Sequence, residues 1–186
     1  MSSVVQTVAP TETPVNLDDL KLRLRITDND FDSALMDILN GAVDYCQEYQ
    51  WAQYVTATFV ERFDCFPCEI RPKKCPLLSV TSLTYVDTAG ATQTLTQNTD
   101  YTVDIYSKPG RIIPAFNKSW PATRGFINDV VLTYTAGYGA ATDVPDDAKQ
   151  AVTLKAMQAY QSCDDQGAMD RVIHSILDKR SFRVFY

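Results

Sequence analysis

Between Asp30 and Tyr49 the apolar positions Phe31, Leu35, Ile38, Leu39, Ala42, Cys46 and Tyr49 recur at three- and four-residue steps. That period stacks them along one side of an α-helix, in a stripe wide enough to bury. Asp28, Asn29 and Asp30 stand just ahead of it, where short polar side chains cap the free N–H groups of a first turn. On a helical wheel Asp30, Asp37, Asp44 and Glu48 fall together on the opposite side, so the predicted helix (30–49) is apolar on one face and acidic on the other. A shorter helix is predicted ahead of it over 16–26. Asn16 precedes Leu17, Asp18 and Asp19, and Leu17, Leu20 and Leu24 share a face.

Beyond Trp51 the period changes to two. Val55 to Phe63 is dense in Val, Thr and Phe; Ser79 to Val86, Tyr101 to Tyr106 and Val130 to Tyr134 alternate apolar with polar residues. Asp87 to Gly90 reads as a turn, with Ala91 to Leu95 returning as a hairpin partner. The pattern predicts four or five short antiparallel strands within 55–136. A long segment, Ser107 to Asn128, carries Pro109, Gly110, Pro114, Trp120, Pro121 and Gly125 and reads as a functional loop. Lys108, Arg111, Lys118 and Arg124 make it locally basic.

Helical spacing resumes after Pro145. Ala148, Ala151, Val152, Lys155, Ala156, Ala159 and Tyr160 mark a helix over 145–162 whose small residues suit close packing. Gly167 separates it from another over 168–180, with Met169, Val172, Ile173, Ile176 and Leu177 as its apolar face. The expected class is α+β: mainly a bundle of about four helices, with a small antiparallel β unit and a long loop inserted. The folded body spans 15–180. Residues 1–14 read as an arm, extended or disordered when alone, and 181–186 as a tail.

With 186 residues, 45% of them hydrophobic, the chain is sized for one domain with a real core. A formal net charge of −6 excludes broad phosphate neutralisation, and so a tight nucleic-acid grip. It permits a wall that DNA slides past. No apolar run reaches the length of a membrane span. Residues 1–14 lack the basic start and apolar middle of a signal peptide. Five cysteines at irregular spacing point to free thiols in a reducing compartment.

Candidate chemistry is sparse. Cys65-Phe66-Pro67-Cys68 is a CxxC with Cys75 beyond it, open to a redox or zinc reading. It follows strand-like residues into a Pro-bearing turn, and the single histidine, His174, is remote, so free thiols beside a turn are the plainer reading. Asp28-Asn29-Asp30 imitates a calcium loop, but Ser33 and Leu39 stand where Gly and Glu are required. Gly137-Tyr138-Gly139 lacks the continuation of a nucleotide-binding loop, and no Ser or Cys is set in a nucleophile motif. Neither a cofactor nor a metal is expected. The terminal Phe182, Val184, Phe185 and Tyr186 either fold back on the chain or, with Arg183, dock on a partner.

The order of these pieces resembles the head–tail connector (adaptor) proteins of long-tailed bacteriophages. The likeness runs from Asn16-Leu17-Asp18-Asp19-Leu20-Lys21 and Leu24-Arg25-Ile26 through the acidic cluster and long helix. It continues with Pro76-Leu77-Leu78-Ser79-Val80, Leu83, Tyr85-Val86-Asp87 and Tyr101-Thr102-Val103-Asp104. Arg111-Ile112-Ile113-Pro114, Trp120-Pro121, Val131 to Tyr138 and Val144-Pro145 complete it, over roughly Val15 to Tyr160. Cys65, Cys68 and Cys75 are not part of that likeness. The resemblance implies a structural virion protein rather than an enzyme. Such a protein forms a ring, typically a dodecamer, beneath the portal, extends the DNA channel and meets the next neck connector or tail protein. Double-stranded DNA would pass without tight binding. The expected location is the capsid–tail junction of the virion, and the host cytoplasm during assembly. On this reading Asp30, Asp37, Asp44 and Glu48 face the channel, Lys108, Arg111, Lys118 and Arg124 meet an acidic neighbouring subunit, and Phe182 to Tyr186 anchor on the portal. A tail-side neck or completion protein, or a small thiol-dependent enzyme, are the alternatives.

Overall fold

The computed structural model describes residues 3–161 and 166–182. The chain divides into two compact units: Met1–Ala9 with Thr56–Gly137, and Pro10–Val55 with Tyr138–Tyr186.

The first unit is all β among the described residues. Its strands are β1 (Ser3–Val8), β2 (Ala57–Phe63), β3 (Leu77–Val86), β4 (Thr92–Leu95), β5 (Tyr101–Asp104), β6 (Arg111–Pro114) and β7 (Val130–Ala136). Five form an antiparallel sheet in the order β1-β2-β7-β3-β4; β5 and β6 pair separately. The central pair runs without a slip from Ala57 opposite Ala136 to Phe63 opposite Val130. Period-two patterning puts Ala57, Phe59, Leu83, Val130, Leu132, Tyr134 and Ala136 on one buried face, where Ile70, Tyr101 and Ile112 complete the core. Ile70 and Ile112 exchange both backbone hydrogen bonds, tying the β5–β6 hairpin to the segment after β2. Glu61 also lies on this face, fully buried, and its carboxylate accepts bonds from the Lys73 N–H and the Tyr134 hydroxyl.

The β part is therefore larger than the four or five strands expected. Two strands escaped the pattern. β1 occupies the stretch read as an extended or disordered arm; five of its six residues are exposed, so no alternation marks it. β6 lies inside the segment read as one long loop.

Among its described residues the second unit holds four α-helices: α1 (Leu17–Leu24), α2 (Asp32–Gln50), α3 (Asp146–Gln161) and α4 (Gln166–Leu177). Asn16 caps α1 by accepting the Asp18 N–H, as its position predicts. The acidic cluster ahead of α2 behaves differently. Phe31 occupies the cap position with no side-chain bond, and Asn29 and Asp32 instead each accept from the buried Lys21 ammonium at 2.6 Å. Phe31, expected in the stripe, is 62% exposed, while Leu35, Leu39, Ala42 and Cys46 are buried as predicted. Both α1 and α2 stop at a left-handed residue, Arg25 and Trp51. Small residues Ala148, Ala151 and Ala156 on α3 let the bundle close. Gly167, expected between the last two helices, lies within the first turn of α4. Val172, expected on the apolar face of α4, is half exposed, whereas Ile173 and Leu177 are fully buried.

Candidate assembly surfaces

On α2, Asp37, Asp44 and Glu48 share a face, seven and four residues apart, and all three are exposed. Asp30 is exposed too, in the turn before the helix. None of the four side chains has a hydrogen-bond or ion-pair partner among the described residues. Their opposite face is held to the rest of the unit. Tyr54 donates to Gln50, and Gln50 donates to the Leu177 carbonyl, both at 2.7 Å. Burial drives the Tyr54 phenol far above its ordinary value, so it stays a neutral donor. His174 on α4 stacks on Tyr49 at 4.7 Å and meets the Tyr45 hydroxyl at 2.8 Å. The lone histidine is part of this helix packing, with Lys155 over the Tyr45 ring at 4.2 Å.

The four basic residues of the Ser107–Asn128 segment do not form one cationic loop. Arg111 pairs with Asp104 at 2.9 Å, Lys118 approaches Asp100 at 3.8 Å, and Arg124 pairs with Asp129 at 2.7 Å. Lys108 is exposed beside Pro109. Ser107 and Arg111 hydrogen bonds hold the Asp104 carboxyl far below the ordinary carboxylate range. Asp129 is fully buried. The Phe126 N–H, which it accepts at 2.7 Å, is the main cause of its lowered pKa, and Arg124 adds to it. The turn so fixed projects Phe126 and Ile127 to solvent, 66% and 74% exposed. Tyr106 and Phe116, 90% and 92% exposed, stand out elsewhere in the unit. Sequence patterning overlooked these tips, although apolar residues in Gly- and Asn-rich turns were the signal available.

At the tail, Phe182 folds back. It is buried, and its N–H donates to the Gln50 carbonyl at 2.9 Å. Arg183, Val184, Phe185 and Tyr186 lie outside the described residues.

The thiols divide by burial. Cys65 and Cys68 are exposed and unbridged, on a turn where Phe66 stacks on Trp120 at 4.7 Å and the Trp120 indole N–H donates to the Cys68 carbonyl. Burial pushes the Cys75 and Cys46 thiols up to about 12, which leaves them protonated at neutral pH. Among the described residues no group of three or more His, Cys, Asp or Glu side chains is placed to hold a metal ion. The helical unit also has an open groove of about 1010 Å³ bordered by Pro14, Val15, Leu22, Met36 and Lys149. Glu12 and Asp19 line it together with Arg23, so no single charge converges there. No helix among the described residues is long and apolar enough to cross a membrane.

No family model and no curated relative matches the chain. Solved structures do. A chain from the neck of an empty gene transfer agent (GTA) particle, computed with C6 symmetry, superposes with a TM-score of 0.80 at 22% identity, covering 98% of this chain and 97% of that one. A chain from the neck of the native particle, computed with C12 symmetry, gives 0.76 at 23% identity over the same shares. A third, from the virion of the native gene transfer agent particle, gives 0.75 at 20% identity, again over 98% and 97%. At these identities the likeness shows the fold, shared over 98% of this chain with chains of a gene transfer agent particle.

Proposed function

We propose that the chain is a structural neck subunit of a phage-like particle, a head–tail connector that assembles as a ring beneath the portal and extends the DNA channel toward the tail. The observation that carries this reading is the near-complete mutual coverage, 98% and 97%, with a neck chain. A shared domain inside an otherwise different protein would leave one chain partly unmatched. The C6 and C12 symmetries of the neck structures support a ring of identical copies. Work of this kind needs shape, edges and charge rather than a reacting group.

The acidic face of α2 suits the channel. Asp37, Asp44 and Glu48 are exposed and unneutralised, and repeated around a ring they would repel phosphate and let DNA move. Residues Arg183 to Tyr186 suit the portal contact, since Phe182 is engaged in its own unit.

The test is electron microscopy of the full chain mixed with DNA-filled, tailless capsids. Added ring density at the portal vertex is expected. Binding to tails but not to portal would place the protein on the tail side, and binding to neither would remove the connector reading. Replacing Asp37 and Asp44 by Lys should slow DNA ejection from otherwise complete particles; ejection at the normal rate would take those residues off the channel wall.

A further inference from the structure

A ring of identical copies is held by a heterologous contact, in which one surface of each copy meets a different surface of the next. Two such surfaces exist within the five-stranded sheet. Its outer strands are β1, Ser-Val-Val-Gln-Thr-Val, and β4, Thr-Gln-Thr-Leu. Free edges are normally blunted by Lys, Pro, inward charge or a covering helix. Neither strand has a charge or a proline, all their residues but Val4 and Leu95 are exposed, and the one irregularity is a register shift of β1 between Gln6 and Val8.

The backbone of β4 can be oriented residue by residue. Val86 directs its N–H to the Asp129 carbonyl and its carbonyl to the Arg124 N–H, away from β4. Its partner Thr92 is therefore in a pair without mutual hydrogen bonds. Alternation then turns Gln93 and Leu95 toward β3, and the N–H and C=O of Thr92 and Thr94 outward. Val5 and Val8, 50% and 57% exposed, mark the other edge.

Strand direction also fits. All four neighbouring pairs from β1 to β4 are antiparallel, so β1 and β4 run the same way. Rotation about an axis along the strands carries β4 of one copy beside β1 of the next as a parallel pair. Five strands at a spacing of about 4.8 Å span about 24 Å, so twelve such sheets would close a circle about 90 Å across, ample for a DNA channel.

We infer that the β4 edge of each copy pairs with the β1 edge of the next, so that main-chain hydrogen bonds run from subunit to subunit. This rests on the ring reading above. Thr94→Pro removes one outward donor while sparing the β3 ladder, and Thr94→Ser keeps that donor. Both variants should melt as the parent does. The proline should lower ring formation about tenfold and the serine should not. Hydrogen exchange resolved to single amides should show Thr92 and Thr94 at least about tenfold slower in the ring than in the free chain. Rings with unprotected Thr92 and Thr94 amides, or normal rings from Thr94→Pro, overturn the edge pairing and leave the ring standing. Protection that appears only when another neck protein is added assigns the edge to that protein and overturns self-pairing. If the parent chain forms no ring, alone or on portal-bearing capsids, the ring reading falls and the pairing with it.

Discussion

Lys21 is a lysine in a place where lysine is seldom found, 7% exposed within the helical unit. Its two 2.6 Å bonds, to Asn29 and Asp32, fix the link between α1 and α2 and explain why the acidic cluster does not cap α2 in the expected way. Charge-assisted bonds of this kind are lost with the ammonium. Lys21→Ala should lower unfolding free energy by about 1–3 kcal/mol, read from the urea midpoint. Lys21→Met, which keeps the apolar stem, should lose less. Asp129 gives a pH signature in the β unit. Its carboxyl titrates below an unfolded aspartate, so its contribution is complete above about pH 4 and disappears as pH falls through the lower folded value. Urea midpoints of the parent should drop as pH falls below about 4, and Asp129→Asn should flatten that drop. An equal drop in the variant would assign the acid sensitivity to Asp87, Asp104 or Asp170, whose carboxyls are also held low.

Among the elements, the hairpin of β5 and β6 depends on one small residue. A Cβ on Gly110 would lie 2.7 Å from the Leu77 Cβ and 3.1 Å from the Asp104 carbonyl. Gly110→Ala should destabilise by about 1–3 kcal/mol, and thermal melting of the purified variant measures it. Elements with one buried and one wet face could be read from the chain: Leu35, Leu39, Ala42 and Cys46 mark α2, and Phe59, Leu132 and Tyr134 mark the sheet. β1 is wet on both faces, and β6 has only Ile112 fully buried in four residues, so neither has a period to find. Lys21 was hidden for a related reason, since its partners come from a turn and composition does not announce a buried cation. The surfaces were legible only in part. The acidic face of α2 follows from its helical spacing, whereas the pairing of Arg111, Lys118 and Arg124 with nearby carboxylates depends on a hairpin and turns that their spacing does not encode. Exposed edges of a sheet are invisible until strand order is known.

At the scale of the whole molecule, the α+β class follows from segments of different period placed along one chain. Its division into two units does not, because the β unit takes its first strand from before α1 and its remainder from after α2. The tail can be tested by truncation. Ending the chain after Phe182 should weaken attachment to portal-bearing capsids; undiminished attachment would discard the tail as an anchor. Phe182→Ala should instead destabilise the helical unit by about 3–5 kcal/mol, because the ring leaves a cavity among packed side chains.

The excursion of the backbone between β1 and β2 carries one more consequence. The two strands are neighbours in the sheet, yet everything from Pro10 to Val55 intervenes. The ladder to β2 holds the first strand in the sheet, and the peptide through Ala9, Pro10 and Thr11 ties it to the helices that follow. A single protease nick there would turn a tethered segment into a dissociable peptide, dilution would carry it off, and the vacated side of β2 would be left sticky. Soluble chains nicked at that point should clump, whereas chains already locked into a collar should shrug the cut off.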